Sequence, residues 1–176
     1  EIVALPGLHA PDGNRPPLVP SLLYVRDGHT GAVALGQQVR DANLDQQKDN
    51  RLFRNFKRGI VTALAPDPRE IDGAAWADRD AGRSFIRRLI AALPEGEQAI
   101  DQLVLTAPVA SFEGYLAWLN GVMDEIAPEK IRIVDESTAA ALGYTVTKPG
   151  AVVLVFDFGG GTLDLSMVQL PESREK

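Results

Sequence analysis

The residues with the clearest chemical potential lie near the end of the chain. An apolar, β-branched run from Val152 to Phe156 stops at Asp157. Phe158 follows, then Gly159, Gly160, Gly161 and Thr162, and a second alternating pattern starts at Leu163-Asp164. This reads as a β-hairpin whose turn is a phosphate cradle. Glycines reach positive φ and carry no side chain that would hold a phosphate away from backbone N–H groups. Thr162 adds a hydroxyl donor. Asp157, at the strand end, is placed to hold Mg²⁺ through water, because that ion keeps its hydration shell. Asp164 shares a face with Thr162 if the strand alternates. A tight glycine turn with a capping aspartate is the plainer reading of three glycines; the acids on both sides favour the cradle.

A second candidate is Glu136, in Val134-Asp135-Glu136-Ser137-Thr138-Ala139-Ala140-Ala141. Here a strand ends and a helix of small residues begins with an acid in its first turn. A helix N-terminus favours a negative side chain, and a carboxylate there can position or deprotonate an attacking water. Dipole complementation alone also explains a glutamate at that place. Lys57, in Phe56-Lys57-Arg58-Gly59, could neutralise a γ-phosphate, although in isolation it reads as a surface lysine. His9 and His29 have no ligand spacing, so neither a zinc site nor a nucleophilic triad is supported. The chain contains neither G-x-x-x-x-G-K-[ST] nor G-x-G-x-x-G.

These residues need a scaffold, and the composition permits one. The chain has 176 residues, 45% of them hydrophobic and 24% charged, enough for a hydrophobic core. A net charge of -6 argues against nucleic acid or an anionic membrane as partner. No apolar run is long enough to span a bilayer, and with no cysteine the chain has no disulfide or thiolate metal site. A cytoplasmic location fits. Both ends read as cut from a longer sequence.

The patterning predicts a strand over residues 1–5, a loop over 6–20, strands over Ser21–Val25 and Ala32–Leu35, and a short helix over Gln37–Asn43. Arg51–Lys57 reads as a second short helix, and Gly59–Ala75 as weakly patterned, broken by Pro66 and Pro68. Two amphipathic helices are expected, Arg83–Leu93 and Phe112–Ile126. Gln102–Ala107 reads as a buried strand, Lys130–Val134 as another, and Glu136–Tyr144 as a helix. Alternation of strands and helices predicts an α/β layered architecture with parallel strands in this part.

Taken together, the motifs resemble the seventy-kilodalton heat-shock chaperone (DnaK-like) family of the actin and hexokinase superfamily. Val155 to Asp164 resembles that family's second phosphate-binding loop. Asp135 to Tyr144 resembles its connecting segment, and Leu103-Val104-Leu105-Thr106-Ala107-Pro108-Val109 the strand with its switch proline. Gly13-Asn14-Arg15, Pro20-Ser21-Leu22-Leu23-Tyr24-Val25, Leu35-Gly36-Gln37 and Phe56-Lys57-Arg58 follow in the family's order.

The resemblance implies a ribonuclease H-like (actin-like ATPase) α/β fold in partial form. Residues 1–148 would be most of lobe I, with a small inserted subdomain at about 25–80, and residues 149–176 would open lobe II with the phosphate hairpin. It implies ATP hydrolysis in which Asp157 organises Mg²⁺ through water, Gly159, Gly160, Gly161 and Thr162 cradle the β- and γ-phosphates, Lys57 approaches the γ-phosphate, and Glu136 positions the attacking water. Pro108 would relay nucleotide state between domains. Unfolded client polypeptides and cochaperones are the implied partners. An actin-like filament protein and a degenerate nucleotide-binding module are the alternatives.

Departures accompany the resemblance. The family's first phosphate loop and its adenosine-binding segments are absent from these residues. Ser137 stands where the family has proline, and no basic residue lies between Pro108 and Glu129, where it keeps an arginine. The region from Gly59 to Asp80 reads as shorter than its counterpart. The fragment alone is therefore expected to bind ATP weakly or not at all, and its final strand, Leu163–Leu170, to offer an edge to another copy.

Overall fold

The computed structural model describes residues 2–10, 17–62, 64–94, 102–107, 112–123, 130–143, 148–158 and 163–172. The chain forms two compact units, one of residues 1–100 with 124–126, the other of residues 101–123 with 127–176.

In the first unit, β1 (Leu23–Asp27) is the central strand of an antiparallel sheet, flanked by β2 (Ala32–Leu35) and β3 (Leu52–Phe53). The expected strand over residues 1–5 does not form among residues 2–5. The Leu5 carbonyl instead accepts the N–H groups of Leu8 at 3.0 Å and His9 at 3.3 Å, closing a turn after Pro6. β2 is followed by α1 (Gln37–Asp41). Arg51–Lys57, read as helical, divides into β3 and the start of α2 (Phe56–Val61), because Leu52 and Phe53 are drawn into the sheet opposite Tyr24 and Leu23.

The weakly patterned stretch contains a hairpin of β4 (Arg69–Ile71) and β5 (Ala74–Trp76). Its two-residue turn, Asp72-Gly73, has φ of 53° and 78°, the left-handed pair that matches strand twist. α3 (Asp78–Ala91) follows, starting five residues before the periodicity predicts. Phe56 of α2 meets Phe85 of α3 with ring centroids 5.4 Å apart. Leu23, Val25, Phe53 and Ile71 are fully buried.

Asp72 also fastens this unit. Its carboxylate pairs with both terminal nitrogens of Arg51 and accepts the Gly28 N–H at 2.9 Å. The Arg51 fork, then the Gly28 N–H, hold its pKa down to about 2. Trp76 Nε1 donates to the Gly28 carbonyl at 3.0 Å. Gly28 is required there, since a Cβ would lie 2.0 Å from the Ile71 carbonyl oxygen.

The second unit begins with β6 (Gln102–Ala107), crosses over through α4 (Phe112–Met123) and returns as β7 (Lys130–Asp135), parallel to β6 as expected. α5 (Glu136–Gly143) leaves β7 directly. The antiparallel hairpin of β8 (Val152–Phe158) and β9 (Leu163–Gln169) follows. α4 buries Trp118, Leu119, Val122 and Met123. β6 is not the buried strand expected: it alternates between half-buried and exposed residues, with Val104 open to solvent. Helices α4 and α5 pack on β6. No described strand pairs with the outer edge of β9, and the β8–β9 face carrying Val152, Leu154, Phe156, Leu165 and Met167 is exposed.

Candidate functional site

β7 delivers the chain to the site. Its last residue, Asp135, turns its carboxylate back onto the helix that follows: Oδ1 accepts the Thr138 N–H at 2.7 Å. This is an N-cap bond, satisfying one of the donors that a helix start leaves without an intrahelical acceptor. Glu136 is then the first residue of α5, half-buried. Its charge reaches Tyr115 on α4, whose phenol is pushed above the usual value first by burial and then by that carboxylate. Tyr115 therefore stays a neutral donor. Its ring packs on Trp118 at 5.4 Å.

α5 packs on both strands of the hairpin. The buried Ser137 hydroxyl donates to Ser166 Oγ at 2.8 Å, which pins the first turn of α5 to the middle of β9. The register of the hairpin runs from Val152↔Gln169 to Phe158↔Leu163, so Asp157 lies opposite Asp164, one pair from the loop. Positions 155 and 166 alternate onto the same face as 157 and 164. The pinned start of α5 is thus two residues along β9 from position 164, about 7 Å. A cleft of about 680 Å³ lies at this junction, lined by Asp135, Thr138 and residues 165–169.

Glu136 and the backbone positions of Asp157 and Asp164 therefore belong to one unit, whereas Lys57 is an exposed residue of α2 in the other. Gly159, Gly160, Gly161, Thr162 and Pro108 lie outside the described residues. Among the described residues no group of three His, Asp or Glu side chains could hold a metal. Sequence reasoning missed Asp135 as a cap, although an aspartate three residues before Thr138 at a strand-to-helix junction is its local signal. It also missed the Ser137–Ser166 bond and the approach of Tyr115, which have no local signal.

Comparison with known proteins places this arrangement. The family model described as Hsp70 protein matches residues 125–174, the stretch that carries β7, α5 and the hairpin. DnaK of Thermus thermophilus is 31% identical over 173 residues, covering 88% of this chain. The chain is an Hsp70 relative. A second DnaK, from Deinococcus proteolyticus, is 35% identical over 104 residues, 57% of this chain and 16% of its own length. The chain spans 28% of the length of the Thermus DnaK, so it corresponds to a part of an Hsp70.

Solved structures of MreB5 from Spiroplasma citri share the fold. The form bound to ADP has a TM-score of 0.56 at 23% identity, covering 86% of this chain and 41% of that one. The form bound to AMPPNP has a TM-score of 0.61 at 21% identity, covering 91% and 44%. The fold is the expected actin-like one in partial form. No helix among the described residues is long and apolar enough to cross a membrane.

Proposed function

We propose that this chain is part of the nucleotide-binding domain of an Hsp70-type chaperone ATPase that acts on unfolded polypeptides with cochaperones in the cytoplasm. Residues 1–148 form most of its first lobe, with the small insertion at about 25–80, and residues 149–176 open the second. The observation that supports this best is the junction of α5 with the β8–β9 hairpin. It brings Glu136 and the register pair Asp157/Asp164 into one unit, within the stretch that matches the Hsp70 family.

The residues fit a nucleotide phosphate with its metal. Carboxylates suit a hydrated Mg²⁺, and glycine N–H groups suit phosphate oxygens. Asp157 would hold the ion through water, and when bound the ion neutralises charge on the phosphate oxygens. Gly159, Gly160, Gly161 and Thr162 cradle the β- and γ-phosphates, and Lys57 approaches the γ-phosphate. Because Asp135 already occupies the Thr138 N–H, the start of α5 serves to orient the Glu136 carboxylate toward the attacking water. Pro108 relays the nucleotide state. The actin-like filament reading has the fold alone in its favour.

Single-turnover ATP hydrolysis by the full-length protein tests this. Glu136→Ala is expected to slow turnover by about 10²-fold or more while ATP still binds. Unchanged turnover in that variant would remove Glu136 from the mechanism. The 176 residues alone supply part of the clamp, so calorimetry should give no micromolar, Mg²⁺-dependent ATP binding to them.

A further inference from the structure

We propose that a cleft in the first unit, separate from the residues assigned above to ATP, binds a small phosphate-bearing solute. The cleft, of about 380 Å³, lies between α2, the residues Thr62, Leu64 and Pro66, and the start of β4. Arg54, Arg58 and Arg69 line it, with Thr62 and Asn55 adding a hydroxyl and an amide. Lys57 does not line it.

The arginines are prepared for an anion. Arg69 spends both hydrogens of one terminal nitrogen on backbone carbonyls, Leu52 at 2.6 Å and Asn50 at 3.0 Å. Its guanidinium carbon lies 3.9 Å from the centre of the Phe53 ring. The plane is fixed, and the remaining edge of the fork is left to offer donors. Arg54 is anchored through one nitrogen to the Asp45 carbonyl at 3.0 Å. Among the described residues neither Arg54 nor Arg69 has a carboxylate at ion-pair distance.

The carboxylate lining this cleft is Asp78. It is packed so closely on α2 that a Cβ at Gly59 would lie 1.7 Å from its Oδ2. Burial pushes the Asp78 pKa up, against the opposing charge of Arg69. Arg54 and Arg69 beside one desolvated carboxylate make a positive hollow in a chain of net charge -6. The guanidinium forks of Arg54 and Arg69, each held on backbone carbonyls, suit the several terminal oxygens of a phosphate dianion better than a single carboxylate. The exposed Leu64 and Pro66 at the lip give the apolar part of such a solute a surface.

The test is titration of the chain with phosphoserine, and with serine as control, by calorimetry and by amide shifts in NMR. Saturable binding of phosphoserine alone is expected, weakened by salt, with shifts at Gly59 and Thr62. Replacing Arg54→Gln and Arg58→Gln together should weaken it about tenfold or more, since each removes a charge-assisted bond. The Arg54→Lys/Arg58→Lys pair, which keeps charge but loses the forks, should fall between. Glu136→Ala should bind as the parent chain does. No saturable binding, equal binding by the Gln pair, or shifts confined to residues 159–162 would each overturn the proposal.

Discussion

The two units of this chain solve the burial problem differently. The first closes on itself: Leu23, Val25, Phe53 and Ile71 are fully buried, and one aspartate, Asp72, ties the β1–β2 turn, the approach to β3 and the β4–β5 turn together. The second packs helices on one side of its strands and leaves apolar residues on the hairpin's other side exposed, among them Leu154, Phe156 and Met167. Their charges differ too. The first unit carries 13 basic and 15 acidic residues and the second 5 and 9, so the second holds -4 of the net charge of -6. A closed unit can be stable as it stands. A unit with an exposed strand face, and with no described strand on the outer edge of β9, is built to be covered.

Two phenylalanines on strands separate these designs most sharply. Phe53 is 1% exposed and Phe156 is 58% exposed. Phe53→Ala should destabilise the first unit by about 3–5 kcal/mol. Phe156→Ala should change stability by no more than about 0.5 kcal/mol. Its effect should appear instead as weaker self-association through the β8–β9 hairpin in sedimentation velocity. Equal losses of stability in the two variants, measured by chemical denaturation, would erase the contrast.

The seam between α5 and β9 is the next test. Ser137→Ala removes the bond to Ser166 and should cost about 1 kcal/mol. Ser137→Pro should cost no more, because the first turn of a helix tolerates the missing N–H. Protection of the β9 amides against hydrogen exchange reports both, and a larger loss in the proline variant would show that the backbone there needs its donor.

The smallest effect is one of pH. The Asp72 pKa is lowered from 3.8 to about 2, so the unfolded chain takes up a proton before the folded one does. Its stabilising contribution is therefore complete above pH 3.8 and is lost as the pH falls toward 2. Exchange of the Gly28 amide should stay slow from neutrality to about pH 4 after correction for intrinsic rates, then accelerate. In Asp72→Asn that acid-side step should vanish.

The parts legible in advance were those with local signals. The parallel β6–β7 pair, both amphipathic helices and the glycine hairpin follow from periodicity and turn residues. The β4–β5 hairpin escaped because its strands are three residues long, too short for alternation to register. Yet Asp72-Gly73 was a turn signal in plain view. The strand misread over residues 1–5 failed for the opposite reason: its composition suits a strand, but β1 already has a neighbour on each side and Pro6 bends the chain away. In the candidate site, Glu136 and Asp157 stood out by their position at element ends, whereas Tyr115 and Ser166 join it only through packing.

Sequence alone determined the types of the longer elements, the glycine loop between two acids and the glutamate at a helix start, because these depend on φ, capping and spacing within a few residues. Tertiary structure decided which distant groups meet. It set Ser137 on Ser166, gave Asp72 to Arg51, brought Arg69 beside Arg54 and Arg58, and left one face of the hairpin open. Hydrogen bonds and desolvation act across a few ångströms of space, and no spacing along the chain specifies that distance.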